Sequence, residues 1–155
     1  MRMQGEKGTV IGEKSMKNEE YKKLSIKEFT KAAGRYESSY AGIYEMCKKD
    51  YPDIQEELEK EPFRDLLDAG CGPAPMISLL AEKYPDRHYT GLDLTPAMIE
   101  QAKKKNISNA TFVVGDCENF PFEKDSFDAI ICSMSFHHYP DPQAFFDSVK
   151  RCLRP

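Results

Sequence analysis

Between Asp68 and Ala74 the chain reads Asp-Ala-Gly-Cys-Gly-Pro-Ala, and this stretch constrains the fold more than any other. It joins an apolar strand pattern, Leu66 and Leu67, to an apolar helix pattern that opens at Pro75. Gly70 and Gly72 tolerate positive φ and let a ligand approach the backbone, and a helix starting at Pro75 aims its amide-rich N-terminus at that ligand. A two-glycine turn can also do no more than connect a strand to a helix, so its neighbours decide its meaning.

Downstream, strands and helices alternate. Phe63 to Asp68 reads as a first strand, and Pro75 to Tyr84 as a helix with Ile77, Leu80, Ala81 and Tyr84 in one stripe, stopped by Pro85. Arg87 to Asp93 is a second strand, after which Thr95 caps and Pro96 opens a helix through Met98, Ile99 and Ala102. Ala110 to Asp116 is a third strand, and after a loop to Asp125 the apolar run Phe127 to Met134 is a fourth. Asp141 caps a last helix carrying Phe145, Phe146, Val149 and Leu153 on one side. Such alternation implies right-handed crossovers and an α/β, Rossmann-like parallel sheet of about four strands with flanking helices, whose ligands bind at the carboxyl ends of the strands.

The part before Pro62 is expected to differ. Residues 1–24 mix Gly, Lys and Glu without a sustained apolar period, and are expected to form a flexible tail without chemistry. Residues 25–62 form an N-terminal helical segment, and residues 63–155 the ligand-binding domain. Ser25 and Glu28 have capping-box spacing ahead of Phe29, Ala32, Ala33, Tyr36 and Tyr40. A second helical stretch holds Ile43, Tyr44, Met46 and Cys47, and a third is capped by Asp53 and runs to Lys60. The aromatic stripe reads either as core packing or as a lid that lays Tyr36 or Tyr40 over a ligand.

With 155 residues, 40% hydrophobic and 31% charged, the chain has room for one domain with a real core. No stretch reaches the roughly 20 apolar residues that span a bilayer, and the Lys/Glu-rich start is unlike a signal peptide, so a cytoplasmic protein without a membrane partner is expected. The five cysteines, 47, 71, 117, 132 and 152, include no CxxC pair and read as reduced thiols. A net charge of -4 gives no overall basic footprint, so nucleic acid is not an expected partner.

Asp68, Asp93 and Asp116 stand at the carboxyl ends of successive strands, and Asp93 follows the glycines by about 20 residues, where a carboxylate can hold a ribose diol. LLDAGCGPA at 66–74, YTGLDLTPAMIEQAKKK at 89–105, FVVGDCENFPFEKDSFDAIICSMSFHHYPDP at 112–142 and the closing VKRCLRP, taken together, resemble the class I S-adenosylmethionine-dependent methyltransferases. The likeness is strongest to the broad group that includes the ubiquinone and menaquinone biosynthesis C-methyltransferases, and it covers residues 63–155. It implies S-adenosylmethionine as cofactor and a small-molecule methyl acceptor. Asp68, Gly70 and Gly72 would surround the methionine part, and Asp93, followed by Leu94, would take the ribose hydroxyls. Asp116 and the backbone around Cys117 would meet the adenine amino edge, and Ser133 would flank the sulfonium. The resemblance assigns no catalytic side chain and no metal. His137 and His138 are expected as loop or pocket-wall residues rather than bases or ligands.

Two features depart from the family pattern. Ala74 stands where a third glycine is usual, and the sequence stops where the family continues into three further strands. An incomplete sheet is therefore expected, a fragment whose fourth strand is covered by a second copy, as a homodimer, or by the N-terminal helices. Two other functions compete. An NAD-dependent oxidoreductase would carry GxGxxG, whereas residues 70–75 read Gly-Cys-Gly-Pro-Ala-Pro; a non-catalytic, self-associating fragment would need no ligand at all.

Overall fold

In a computed structural model the backbone is described for residues 7–38 and 41–155, and the side chains for residues 17–38 and 44–155. Four parallel strands, β1 (Asp65–Ala69), β2 (His88–Asp93), β3 (Ala110–Val114) and β4 (Ala129–Ile131), form one sheet in the order β3-β2-β1-β4. Asp68 stands beside Gly91 of β2 and Ile131 of β4, while Asp93 stands beside Val114. This register gathers the carboxyl ends of all four strands at one edge.

The apolar runs explain why these segments pair. Successive strand residues point to opposite faces, and a parallel sheet is covered on both. Leu66 accordingly packs with Ile77, Leu80, Tyr89 and Ile99, whereas Leu67 packs with Leu92, Phe120, Phe127 and Phe145. Both leucines are fully buried, each stabilising the fold by about 1.5–3 kcal/mol relative to exposure. The helices α4 (Pro75–Lys83), α5 (Pro96–Lys103) and α6 (Pro142–Cys152) all open on a proline, whose missing N–H costs nothing in a first turn. Asp141 caps α6 as expected, its Oδ1 accepting the Ala144 N–H at 3.2 Å. Thr95 makes no side-chain cap on α5; the local turn is held instead by Asp93.

Three expectations are corrected. From Lys7 onward the segment read as a flexible tail is helical: α1 runs unbroken over Lys7–Ala32, so Ser25 lies inside a helix rather than at its cap. Two further helices follow, α2 (Ala41–Lys48) and α3 (Tyr51–Lys60). The latter starts ahead of Asp53, with Asp50 at the cap position, because Tyr51 is buried in the Leu66 cluster and Pro52 suits the first turn. Strand β4 is shorter than the apolar run around it, because Met134 takes φ 50° and the chain leaves the ladder after Ile131.

At the opposite, amino edge of the sheet, Asp128 Oδ2 accepts the N–H groups of Arg64 and Asp65 at 2.9 Å each. Arg154 donates to Asp65 and Asp128, also at 2.9 Å. The Asp65 amide and the Arg154 guanidinium hold the Asp128 carboxyl down at about 2. Leu153 bridges Phe127 in parallel beside this knot, and beyond that bridge β4 pairs only with β1 among the described residues. The expected cover by N-terminal helices is not what α1 provides: it packs on α5 and on the turn at Ala33–Arg35, above the carboxyl edge.

Candidate functional site

The carboxyl ends of the strands open into a cavity of about 600 Å³, within the range of small-ligand sites. Its floor is the glycine turn. Gly70 takes φ 76° and its N–H donates to the Leu92 carbonyl at 2.7 Å, with the Cys71 N–H joining the same oxygen at 3.0 Å. A Cβ on Gly70 would fall 1.9 Å from Ser135 Oγ and 2.8 Å from Tyr139 Oη, so glycine is required there by packing as well as by φ. Gly72 takes φ 55°, yet a Cβ there would meet nothing within 4 Å. The space beside Gly72 therefore belongs to the cavity.

Ala74 adopts the left-handed conformation that the third glycine would have supplied, φ 65° and ψ 45°, with its methyl fully buried. A left-handed L-residue costs roughly 1–2 kcal/mol. Burying one methyl returns on the order of 0.8 kcal/mol, so the substitution of alanine for glycine is nearly neutral and the close approach of α4 is preserved.

All three strand-end acids face the cavity, each in a different state. Asp68 is 3% exposed and its carboxylate accepts no hydrogen bond among the described residues. Burial, with a smaller contribution from Asp93, pushes it up to about 7. Asp93 has both oxygens engaged: Oδ2 accepts the Gly72 N–H and Oδ1 the Thr95 N–H, each at 2.9 Å. Burial raises its pKa and the two amides oppose the rise. Asp116 accepts the Glu118 N–H through Oδ1 and the Lys22 ammonium through Oδ2 at 2.7 Å.

Cys117, Leu94 and Ser133 complete the predicted set on the cavity wall. Ser133 Oγ is buried without a hydrogen-bond partner among the described residues, a polar atom that a ligand would satisfy. Burial raises the Cys71 and Cys117 thiols, which makes them inert walls rather than nucleophiles. His138 packs edge-on against Phe29 with ring centroids 5.2 Å apart, and His137 lies 4.0 Å from it. Burial, and then His137, lower the His138 pKa, so its ring is neutral near neutral pH. Among the described residues no three His, Cys, Asp or Glu side chains are grouped to hold a metal.

The part of the roof ahead of Ser25 is not legible as a site in the sequence. Tyr21, Lys22, Leu24, Phe29 and Ala32 of α1 all line the cavity. Lys22 lies 3.2 Å from Glu118 Oε2 as well as on Asp116. Burial alone would lower the Lys22 ammonium, but hydrogen bonds to Asp116 and Glu118 outweigh it and raise the pKa. Glu118, 8% exposed, also accepts the Asp141 N–H at 3.0 Å, joining the roof to the start of α6. The available signal was spacing: positions 21, 24, 25, 28, 29 and 32 repeat at three and four residues across the point where a cap had been expected. Tyr36 lines the cavity and lies 3.9 Å from Cys47 Sγ, so the stripe serves packing and roof together. Tyr40 lies outside the described residues.

A floor with an open glycine, amide-held carboxylate oxygens and one buried hydroxyl without a partner among the described residues suits a polar ligand. The phthiotriol/phenolphthiotriol dimycocerosates methyltransferase of Mycobacterium leprae is 40% identical over 91 residues, which are 58% of this chain and 34% of that protein. The fatty-acid O-methyltransferase of Mycolicibacterium smegmatis is 38% identical over 91 residues, 58% of this chain and 33% of that protein. The chain thus spans about a third of the length of these curated relatives. The methyltransferase crystallised with the Haloferax volcanii Trm112 activator shares the fold at a TM-score of 0.68 and 23% identity, covering 83% of this chain and 56% of that one. The family described as methyltransferase domain matches residues 66–155, which take in β1 to α6 and the whole floor of the cavity, and the chain belongs to that family.

Proposed function

We propose that the chain is the S-adenosylmethionine-binding part of a class I methyltransferase that moves a methyl group to a small-molecule acceptor. The observation that carries this reading is Asp93, a cavity-lining carboxylate whose two oxygens are fixed by the Gly72 and Thr95 amides beside the open Gly72. That is the arrangement a ribose diol needs. Asp68, raised to about 7 by burial, would be drawn into its ionised form by a cationic methionine end beside it, and Ser133 Oγ supplies a hydroxyl without a partner among the described residues. Asp116 accepts from an exocyclic amine only if Lys22 shares or yields its oxygen. Bound S-adenosylmethionine would supply a sulfonium-activated methyl group. The residues' work is then to orient donor and acceptor and to keep water out, which accounts for a large share of the acceleration in such transfers.

The finer placement, beside the ubiquinone and menaquinone biosynthesis enzymes, rests on the four sequence pieces alone, and a cytoplasmic location belongs to the same reading. No helix among the described residues is long and apolar enough to cross a membrane. Calorimetric titration with S-adenosylmethionine, S-adenosylhomocysteine and NAD is the test. Saturable binding of the first two, abolished in Asp93→Ala, is the expected result, and binding of NAD alone would overturn it.

A further inference from the structure

Resting on the cofactor reading above, we infer that the other half of the cavity takes an uncharged acceptor with a long apolar chain or ring system. The floor uses the strand ends, and what remains facing it is the underside of α1 with Met46, Met134 and the ring of His138. Leu24 and Met46 line the cavity yet are 62% and 55% exposed, and Tyr21 and Met134 are also exposed. The apolar lining therefore continues from the interior out through the opening. Large side chains in such positions are the usual wall of a site for apolar ligands.

Charge decides the class of head group. Among the described residues lining the cavity, Lys22 is the one Lys or Arg, and its ammonium is engaged by both Asp116 and Glu118. The same lining carries Glu28, Asp68, Asp93, Asp116 and Glu118. A carboxylate or phosphate head group would be desolvated beside these acids with no free cation among the described lining residues to pair it, and that is strongly unfavourable. A cationic head group is disfavoured for a different reason: Asp68, Asp93 and Asp116 lie on the floor with the cofactor, Glu118 is paired with Lys22, and Glu28 on α1 is paired with Lys31. Polar groups on the acceptor side include the imidazoles of His137 and His138, which hydrogen-bond a neutral hydroxyl well.

The test uses the 155-residue chain saturated with S-adenosylhomocysteine, after calorimetry has established that it binds. Decan-1-ol, decanoate and decylammonium then compete with the neutral fluorophore N-phenyl-1-naphthylamine at about pH 8, where both acid and amine are charged. Decan-1-ol is expected to displace the fluorophore at least about tenfold more tightly than either ion, a difference of roughly 1.4 kcal/mol. In Leu24→Glu, its affinity falls by about the same factor. Equal or tighter binding of decanoate or decylammonium, or no displacement by any of the three, overturns the inference. Should S-adenosylhomocysteine fail to bind, the cofactor reading falls by itself. The same ranking on the unloaded chain then still upholds the apolar, uncharged site, and its reversal still removes it.

Discussion

Gly70 and Gly72 carry the same positive-φ backbone but opposite surroundings, and paired alanine substitutions should separate folding from binding. In Gly70→Ala the new methyl lies 1.9 Å from Ser135 Oγ and 2.5 Å from Ser135 Cβ, and it reaches the hydroxyl of Tyr139, to which Ser135 is hydrogen-bonded at 2.7 Å. Left-handed strain contributes about 1–2 kcal/mol and overpacking about 1–3 kcal/mol more, for a total of roughly 2–5 kcal/mol. At about 2–4 °C per kcal/mol for a chain of this size, Tm falls by roughly 4–20 °C. In Gly72→Ala the methyl meets no described protein atom within 4 Å, so only the strain remains and Tm falls by about 2–8 °C. The methyl does, however, occupy cavity space beside the amide that fixes Asp93. Scanning calorimetry and titration with S-adenosylhomocysteine read the two effects separately. Gly72→Ala should lose binding while staying the more stable of the pair. Equal destabilisation of the two variants, or unimpaired ligand affinity in Gly72→Ala, would refute the reasoning.

Asp68→Asn should stabilise the ligand-free chain at about pH 8 while weakening cofactor binding. Because the folded carboxyl is raised to about 7, the stability tied to its protonated form is full below an unfolded value of about 4 and is lost as pH rises through 7. The gain in Tm over the parent should therefore shrink to nothing near pH 4, on the order of 1–4 kcal/mol being at stake; a pH-independent gain would count against this assignment. Lys22→Met leaves Asp116 and the buried Glu118 without their cation, and amide exchange across residues 21–32 should quicken by about 5–30-fold. Unchanged exchange would mean that apolar contacts alone hold α1. The open side of β4, paired only with β1 beyond the Phe127–Leu153 bridge among the described residues, is expected to self-associate. Light scattering after size exclusion should show mass rising with concentration, and a strict monomer at about 100 µM would dismiss the idea.

Local patterns made the sheet and the floor readable. Leu66 and Leu67 announce a strand buried on both faces, the prolines at 75, 96 and 142 mark three helix starts, and Asp93 lies at the distance from the glycines that a βαβ unit imposes. The roof was hidden because its charge pattern resembles a solvated tail, and its anchor joins Lys22 to Asp116, 94 positions away. No short window of sequence reports a contact of that range. The end of β4 was overread for a related reason. Cys132 and Ser133 are as apolar or small as ladder residues, but they leave the sheet at the cavity, where Ser133 walls the site. Composition alone does not distinguish a strand residue from a wall residue.

The unequal anchoring of the two halves of the cavity bears on how quickly occupants come and go. Asp93 is clamped to both neighbouring loops before anything binds, so the acceptor groups of the floor are already aimed and add little ordering cost. The roof is tethered by Lys22 on two acids and by ring contact of Phe29 with His138, and these loosen without disturbing a strand. Changes on the floor are therefore expected to act on equilibrium affinity, whereas changes along α1 act on residence time. A ligand that competes for Asp116 would, by displacing one ammonium group, set the rate at which the chamber opens.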